Sequence, residues 1–240
     1  MENSIYIGLS RQKTMSTNMS IVANNIANMN TPGFRGQNIL FKEHMMKPQG
    51  MEHNISQVAT HGQYDNLTPG AVTKTGNDLD VALEGSGFLG IITPDGVKYS
   101  RAGSMSMNSN GELVNSGGEK MASTGGAAIS IPSGTTEIKI SEDGTVSANG
   151  AAVGQLMIHE FDNYQDLTPF GNNLYSSKNP GNAAENTKVK QGLLEGSNVN
   201  AISEMTKMID IHRKYQSMYK MMQSENDRLR NAIQKLNTNS

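Results

Sequence analysis

The chain begins and ends on helical spacing, and shorter alternating runs lie between. From about Ser4 to Asn28, Ile5, Met15, Met19, Val22, Ile26 and Met29 fall on a three-four repeat, with Leu9 and Ala23 flanking it. One apolar stripe on a helix is expected. Asn3 or Ser4 suits the N-cap, Gln12 interrupts the stripe, and Gly8 weakens the helix by up to ~1 kcal/mol relative to alanine. Thr31-Pro32-Gly33-Phe34 then reads as a tight turn, with proline presetting φ and glycine accepting a positive φ. Asn28 or Asn30 suits the left-handed position that ends a helix.

The last segment, from Asn200 onward, contains neither glycine nor proline. Steps of three and four from Met205 meet Met208, His212, Tyr215, Tyr219, Met222, Asn226, Leu229, Ile233 and Leu236. This spacing predicts a coiled-coil seam on a helix over about 200–236, roughly 55 Å long at 1.5 Å per residue. His212 and Asn226 read as polar residues tolerated in that seam.

Between the ends, Asp95-Gly96, Asn110-Gly111, Asp143-Gly144 and Asn149-Gly150 separate short apolar runs at Leu79–Leu83, Phe88–Ile92, Ala128–Ile131, Glu137–Ile140 and Gly154–Phe161. Such dipeptides mark hairpins, so the middle reads as a small antiparallel β domain. The expected class is therefore α+β: long N- and C-terminal helices, packed as a coiled-coil-like pair, bracket the β domain. Residues 1–34 form the first helix and turn, 35–66 an extended arm, 67–175 the β domain, 176–199 a return connector and 200–240 the second helix.

Composition narrows what such a chain does. Leu, Ile, Val and Phe supply 46 of 240 residues, so the core is modest. A pair of helices holding only this much apolar surface is marginal alone, and the uncovered ridge calls for neighbours. A formal charge of −2 provides no basic field for nucleic acid. No apolar run is long enough to span a membrane, and the N-terminus lacks the basic-then-apolar shape of a signal peptide, so a chain that leaves the cytoplasm is expected to do so without a cleaved signal. Membrane insertion is not expected. Absence of cysteine excludes disulfides and thiolate metal sites.

Chemistry-bearing motifs are weak. Gly85-Ser86-Gly87-Phe88-Leu89-Gly90 matches the dinucleotide fingerprint, but a strand and turn follow it where the motif requires a helix. A tight crossing of backbones is the expected use. His44, His53, His61, His159 and His212 lack metal spacing, and Asp78 and Asp80 alternate as a solvated strand face. No catalytic, cofactor, metal or small-molecule substrate site is expected.

The order of residues in Ala23-Asn24-Asn25-Ile26-Ala27-Asn28-Met29-Asn30-Thr31-Pro32-Gly33-Phe34 closely resembles the N-terminal signature of flagellar rod and hook proteins. Leu79-Asp80-Val81-Ala82-Leu83 with Gly85-Ser86-Gly87-Phe88 resembles that family's central motif. Tyr99-Ser100-Arg101-Ala102-Gly103 and Gly111-Glu112-Leu113-Val114 resemble its continuation. Gln191-Gly192-Leu193-Leu194-Glu195-Gly196-Ser197-Asn198-Val199-Asn200 resembles its C-terminal signature. Leu89 departs from the aromatic often found after the phenylalanine. Length, the opening Ser4-Ile5-Tyr6 and the stretch Thr75–Asp80 favour a proximal rod member, with distal rod or hook as alternatives within the family.

The resemblance implies a structural subunit that assembles with homologous proximal and distal rod subunits into a helical tube in the periplasmic part of the basal body. It also implies export by the flagellar type III apparatus. The expected interface comprises Ile5, Leu9, Met15, Met19, Val22 and Ile26 on the first helix. Asn24, Asn25, Asn28, Pro32, Gly33 and Phe34 would dock its end, with Asn24 and Asn25 bridging to an adjacent subunit's backbone. Asn198 belongs to the same set, as do Met205, Met208, Tyr215, Tyr219, Met222, Leu229, Ile233 and Leu236 on the last helix. Two readings from other classes stand beside this one: a secreted β-rich hydrolase or binding module, and a membrane-surface protein with an amphipathic C-terminal helix.

Overall fold

The computed structural model describes residues 2–46 and 55–238. His53 lies outside the described residues, as do the side chains of Ile5, His44 and Leu236. The chain divides into two compact units.

The first unit draws on Met1–Met29, Gly36–Leu67 and Val199–Ser240. It contains α1 (Glu2–Ala27), β1 (Gln37–Met46), β2 (Ile55–Asp65) and, at the chain's end, α2 (Ala201–Thr238). The two helices run antiparallel. Gln12 Nε2 donates to Tyr215 Oη at 2.8 Å. A Cβ on Gly8 would lie 3.3 Å from Met222 Cγ, so this glycine is where the two helices approach closely. Pairing of 12 with 215 and 8 with 222 leaves about ten residues of α2, roughly 15 Å, beyond the start of α1. Within residues 35–66, expected as an extended arm, Gln37–Met46 and Ile55–Asp65 pair as a long antiparallel ribbon instead. Its register runs from Gln37 opposite Asp65 to Met46 opposite Ile55, with a bulge at Leu40/Phe41. The ribbon packs along α1.

The second unit joins Asn30–Arg35 to Thr68–Asn198. Its strands are β3 (Val72–Lys74), β4 (Val81–Glu84), β5 (Phe88–Thr93), β6 (Gly96–Ser100), β7 (Met105–Met107), β8 (Leu113–Asn115), β9 (Lys120–Met121) and β10 (Ile138–Ile140). They continue as β11 (Thr145–Ala148), β12 (Ala151–Gln155), β13 (Ile158–Glu160), β14 (Leu167–Gly171), β15 (Leu174–Ser177), β16 (Asn182–Ala183), β17 (Lys188–Gln191) and β18 (Leu193–Glu195). The largest sheet follows the order β14-β15-β6-β5-β9-β8-β7, with β13 and β16 joined at its side. A second sheet is β10-β11-β12, and two pairs, β17-β4 and β18-β3, complete the unit.

The turn chemistry acts where the pattern placed it. Asn149 and Gly150 have φ of 49° and 82° between paired Ala148 and Ala151, the backbone of a two-residue primed turn. Two expectations are corrected. Ala128–Ile131 forms isolated bridges to Ala122 and Glu112 rather than a strand. Residues 176–199 are no connector, because β16, β17 and β18 are strands of the unit itself.

Val81, Leu89, Ile91, Leu113, Met121, Val146 and Val189 form the main core, each fully buried or nearly so. A satellite cluster packs Phe88, Tyr99, Phe161, Leu167 and Tyr175. Tyr99 meets Phe161 edge-on at 4.8 Å between ring centroids, a favoured aromatic geometry. His159 stacks on Tyr99 at 5.7 Å between ring centroids, and its Nδ1 is buried without a partner.

Burial pushes the His159 imidazole below its ordinary value of about 6.5. Protonation therefore favours the unfolded chain, so the β unit loses stability as pH falls through about 6.5 toward the lower folded value. The carboxyls of Glu112, Glu142 and Asp143 are held low by hydrogen bonds from Lys120, from Lys190 and from the Thr145 backbone N–H respectively. Their contribution is lost only in more acidic solution, below the ordinary carboxylate range. His159→Phe should therefore flatten the slope of the denaturant midpoint between pH 7 and pH 5 and leave the steeper acid limb. A slope unchanged in the variant would contradict this assignment.

Candidate assembly site

The end of α1 is fixed by its asparagines. Asn25 is buried, and its side chain acts as a surrogate strand partner for Gln37. Oδ1 accepts from the Gln37 N–H at 2.9 Å, while Nδ2 donates to the Gln37 carbonyl at 2.9 Å and to Glu204 Oε2 at 3.1 Å. One amide thus joins α1, the ribbon and α2. The other oxygen of Glu204 meets Lys207 Nζ at 2.5 Å. The amide of Asn25 is therefore engaged inside the protomer and does not bridge outward. Asn24 is exposed, and Asn28 closes back on it, donating to its carbonyl at 2.9 Å and to its Oδ1 at 3.1 Å. Asn25→Ala would strand the N–H and C=O of Gln37 together with one Glu204 oxygen, costing about 2 kcal/mol. A melt followed by helical circular dichroism should show the loss, and an unchanged midpoint would refute the role.

Helix α2 carries two stripes. Glu204, Met208, Ile211, Tyr215, Met218, Met222, Glu225 and Leu229 are the buried or half-buried positions along 204–229, spaced four and three, and they form the inner seam. Met208, Tyr215, Met222 and Leu229 were expected there. The alternate positions lie one residue earlier than the apolar stepping suggested. His212 and Asn226 are exposed rather than in the seam. Met205, Tyr219 and Ile233 form an outer stripe with Ile202 and Ile209, exposed at 47%, 51%, 59%, 78% and 54% respectively. On α1, Val22 is buried, Met15, Met19 and Ile26 are half-buried, and Leu9 is exposed.

Within the β unit, three segments far apart in sequence meet at one carboxylate. Thr31-Pro32-Gly33-Phe34 closes as a turn, with Phe34 N donating to the Thr31 carbonyl at 3.2 Å and Gly33 at φ 66°. Gly33 N donates to the Glu195 carbonyl at 2.8 Å, and Asn173 Nδ2 donates to the Pro32 carbonyl at 2.9 Å. Phe34 is buried, and its carbonyl accepts from Asn198 N at 3.3 Å. Asn198 Nδ2 donates to the Thr68 carbonyl at 2.8 Å.

Next in sequence, Arg35 reaches Glu195 Oε1 at 2.8 Å, and from the other side Arg101 reaches Oε2 at 3.0 Å. Gly70 N also donates to Oε1 at 3.0 Å. The three charged residues are 5%, 4% and 2% exposed for Arg35, Arg101 and Glu195. The remaining guanidinium donors find backbone carbonyls: Arg101 those of Leu83, Gly85 and Gly87, and Arg35 that of Thr68. Burial pushes the Arg35 guanidinium below its ordinary value, Glu195 opposes this, and the nearby Arg101 adds to it. An arginine remains charged under such conditions. The glycines of Gly85-Ser86-Gly87 serve a close crossing, since a Cβ at either would fall 2.6 or 2.8 Å from Thr187 Oγ1.

The sequence reading named Gly33, Phe34 and Asn198 but gave no role to Arg35, Arg101, Glu195 or Glu204. Arg101 and Glu195 sit inside the quoted motifs, which was the available signal.

Comparison with known proteins covers both ends of the chain and part of the β unit. Residues 5–35 match the family Flagella basal body rod protein. Residues 82–148 match the Flagellar hook protein FlgE/F/G D1 domain, and residues 190–235 match the Flagellar basal body rod FlgEFG protein C-terminal family. The flagellar basal-body rod protein FlgF of Caulobacter vibrioides is 36% identical, covering 98% of both chains. FlgF of Mesorhizobium japonicum is 31% identical over the whole of both. The flagellar basal-body rod protein FlgG of Bacillus subtilis is 32% identical over 97% of this chain and 98% of its own. The matched segments contain the helix ends, the turn and both sides of the Glu195 clamp, and the chain belongs to the flagellar basal-body rod protein family.

Proposed function

We propose that the chain is a structural subunit of the proximal rod of the flagellar basal body and acts by packing against homologous subunits rather than by catalysis. The observation that carries this reading is the outer stripe of α2. Five apolar residues at heptad-compatible spacing stand exposed beside a seam that α1 already occupies. Exposed apolar residues that share heptad positions on one helix favour a further helix as their cover. Repetition of one such heterologous contact builds an open helical array.

In this reading the neighbours are proximal and distal rod subunits, and the array encloses the passage used by later exported subunits. The chain itself reaches the periplasmic side through the flagellar type III apparatus, with no signal cleaved. Assignment to the proximal segment is supported by the FlgF relatives, which match over nearly their whole length. A distal position is the second reading, supported by the FlgG relative.

The test is complementation of a deletion strain with Ile209→Glu/Tyr219→Glu. Both positions are exposed, so the fold should change by less than about 0.5 kcal/mol each. Soluble, folded variant protein with basal bodies that lack a completed rod is the expected result. Intact rods and normal motility would overturn the proposal.

A further inference from the structure

We infer that residues 187–198 act as a latch: the β unit stays open until this segment docks, because the segment delivers the carboxylate that neutralises two buried arginines. Among the described residues, Glu195 is the carboxylate ion-paired with Arg35 and with Arg101. Both of its oxygens are committed, and the carbonyls around the guanidinium groups carry only partial charge.

The same segment covers the strands that the preceding chain leaves open. β17 pairs with β4 from Lys188 opposite Glu84 to Gln191 opposite Val81, and β18 pairs with β3. Val189 is 1% exposed within the main core. Thr187 Oγ1 accepts from Gly87 N at 2.9 Å and donates to Glu160 Oε1 at 2.5 Å. Gly192 N donates to the Asp80 carbonyl at 2.8 Å, and its own carbonyl accepts from Thr75 N at 2.9 Å. Most of these contacts join the segment to residues 33–103, so no local stretch can make them alone.

Electrostatics makes the docking all-or-none. Burial of either arginine without its counter-charge costs several kcal/mol, and the second guanidinium adds repulsion. A half-closed unit with the clamp formed but Glu195 absent is therefore disfavoured, and the arginines remain in water until the carboxylate arrives. The role of the latch rests on the assembly reading above: a subunit delivered in extended form would hold its β unit open until its C-terminal region is free.

Native-state hydrogen exchange on the full chain tests this inference, and it reads the latch whether or not the chain builds rods. In the natural sequence, the amides of Val81 and Leu83 in β4, Leu89 and Ile91 in β5 and Val189 in β17 should share one opening event. Glu195→Ala should lower their protection together, by about a hundred-fold or more. Adding Arg35→Met should recover about ten-fold of that loss, as one uncompensated charge is removed. If Glu195→Ala fails to fold, Glu195→Gln, which retains an acceptor, should show the same joint loss at smaller size. Exchange of Val189 through a separate opening, with Leu89 and Ile91 keeping their natural protection, would overturn the latch. So would an Arg35→Met change that only adds to the loss. Joint exchange together with intact rods in the outer-stripe variant would sink the rod reading and leave the latch standing.

Discussion

Glu195→Ala is expected to destabilise the β unit by about 3–5 kcal/mol, a large share of the stability of an ordinary domain. The natural carboxylate accepts from Arg35, Arg101 and the Gly70 N–H at 2.8–3.2 Å. Alanine fills little of the space and leaves two guanidinium groups facing each other at 5% and 4% exposure. Loss of an attraction is the smaller part; the larger part is two cations buried without compensation. Glu195→Gln should recover part of the loss, since it keeps an acceptor but no charge. Equilibrium denaturation followed through the β unit's own signal measures both. A Glu195→Ala midpoint within experimental error of the natural chain would show that the clamp contributes nothing to stability.

Gly33→Ala should cost about 2–5 kcal/mol, from two sources that can be separated. The backbone at φ 66° disfavours any L side chain by about 1–2 kcal/mol. A Cβ there would also fall 2.4 Å from the Arg101 carbonyl carbon and 2.5 Å from Ala102 N. Those atoms are backbone, so relief requires moving the strand end that carries the Arg101 side chain, adding about 1–3 kcal/mol. Gly76 is the control: its φ is 74°, and nothing lies within 4 Å of its added Cβ. Gly76→Ala should therefore cost only the conformational part. Equal losses in the two variants would remove close packing at Gly33 from the explanation. The turn Thr31-Pro32-Gly33-Phe34 is then a packing device as well as a helix stop.

The features legible in the sequence were those decided by local chemistry. The proline-glycine turn and the Asn149-Gly150 hairpin follow from backbone preferences within four residues, and α1 stops at Ala27, close to the expected place, although neither Asn28 nor Asn30 takes the left-handed backbone expected there. The seam of α2 was half legible for a definite reason. Apolar stepping selected Met205, Tyr219 and Asn226, whereas the inner seam uses Glu204, Met218 and Glu225. Glu204 is satisfied by Asn25 and Lys207, and Glu225 meets Arg228 at 2.9 Å, so polar residues occupy positions that a purely apolar criterion skips. The displaced apolar residues then stand outside.

Other features were hidden by distance or by strand length. The ribbon of β1 and β2 was not distinguishable from an extended arm, because Gln37–Met46 mixes polar and apolar residues on both faces and its partner carries a bulge. β16, β17 and β18 have two to four residues each, with Lys188 exposed and Val189 buried, too short for periodicity to register. The clamp joins Arg35 to a residue 160 positions later, and no spacing rule reaches that far. Glu195 lies within the C-terminal signature, but its work becomes visible only when β18 lies beside β3.

The central claim is that the outer stripe of α2 is free in the protomer and covered in the assembled rod. The chain has no cysteine, so a single cysteine at Ile209 or Tyr219 offers a clean probe. The decisive measurement is its rate of maleimide labelling in dilute purified protein and in isolated basal bodies. Rapid labelling of the free protein and protection of at least ten-fold in basal bodies is the predicted result. Equal labelling of the two preparations, with the variant supporting normal motility, would contradict the account.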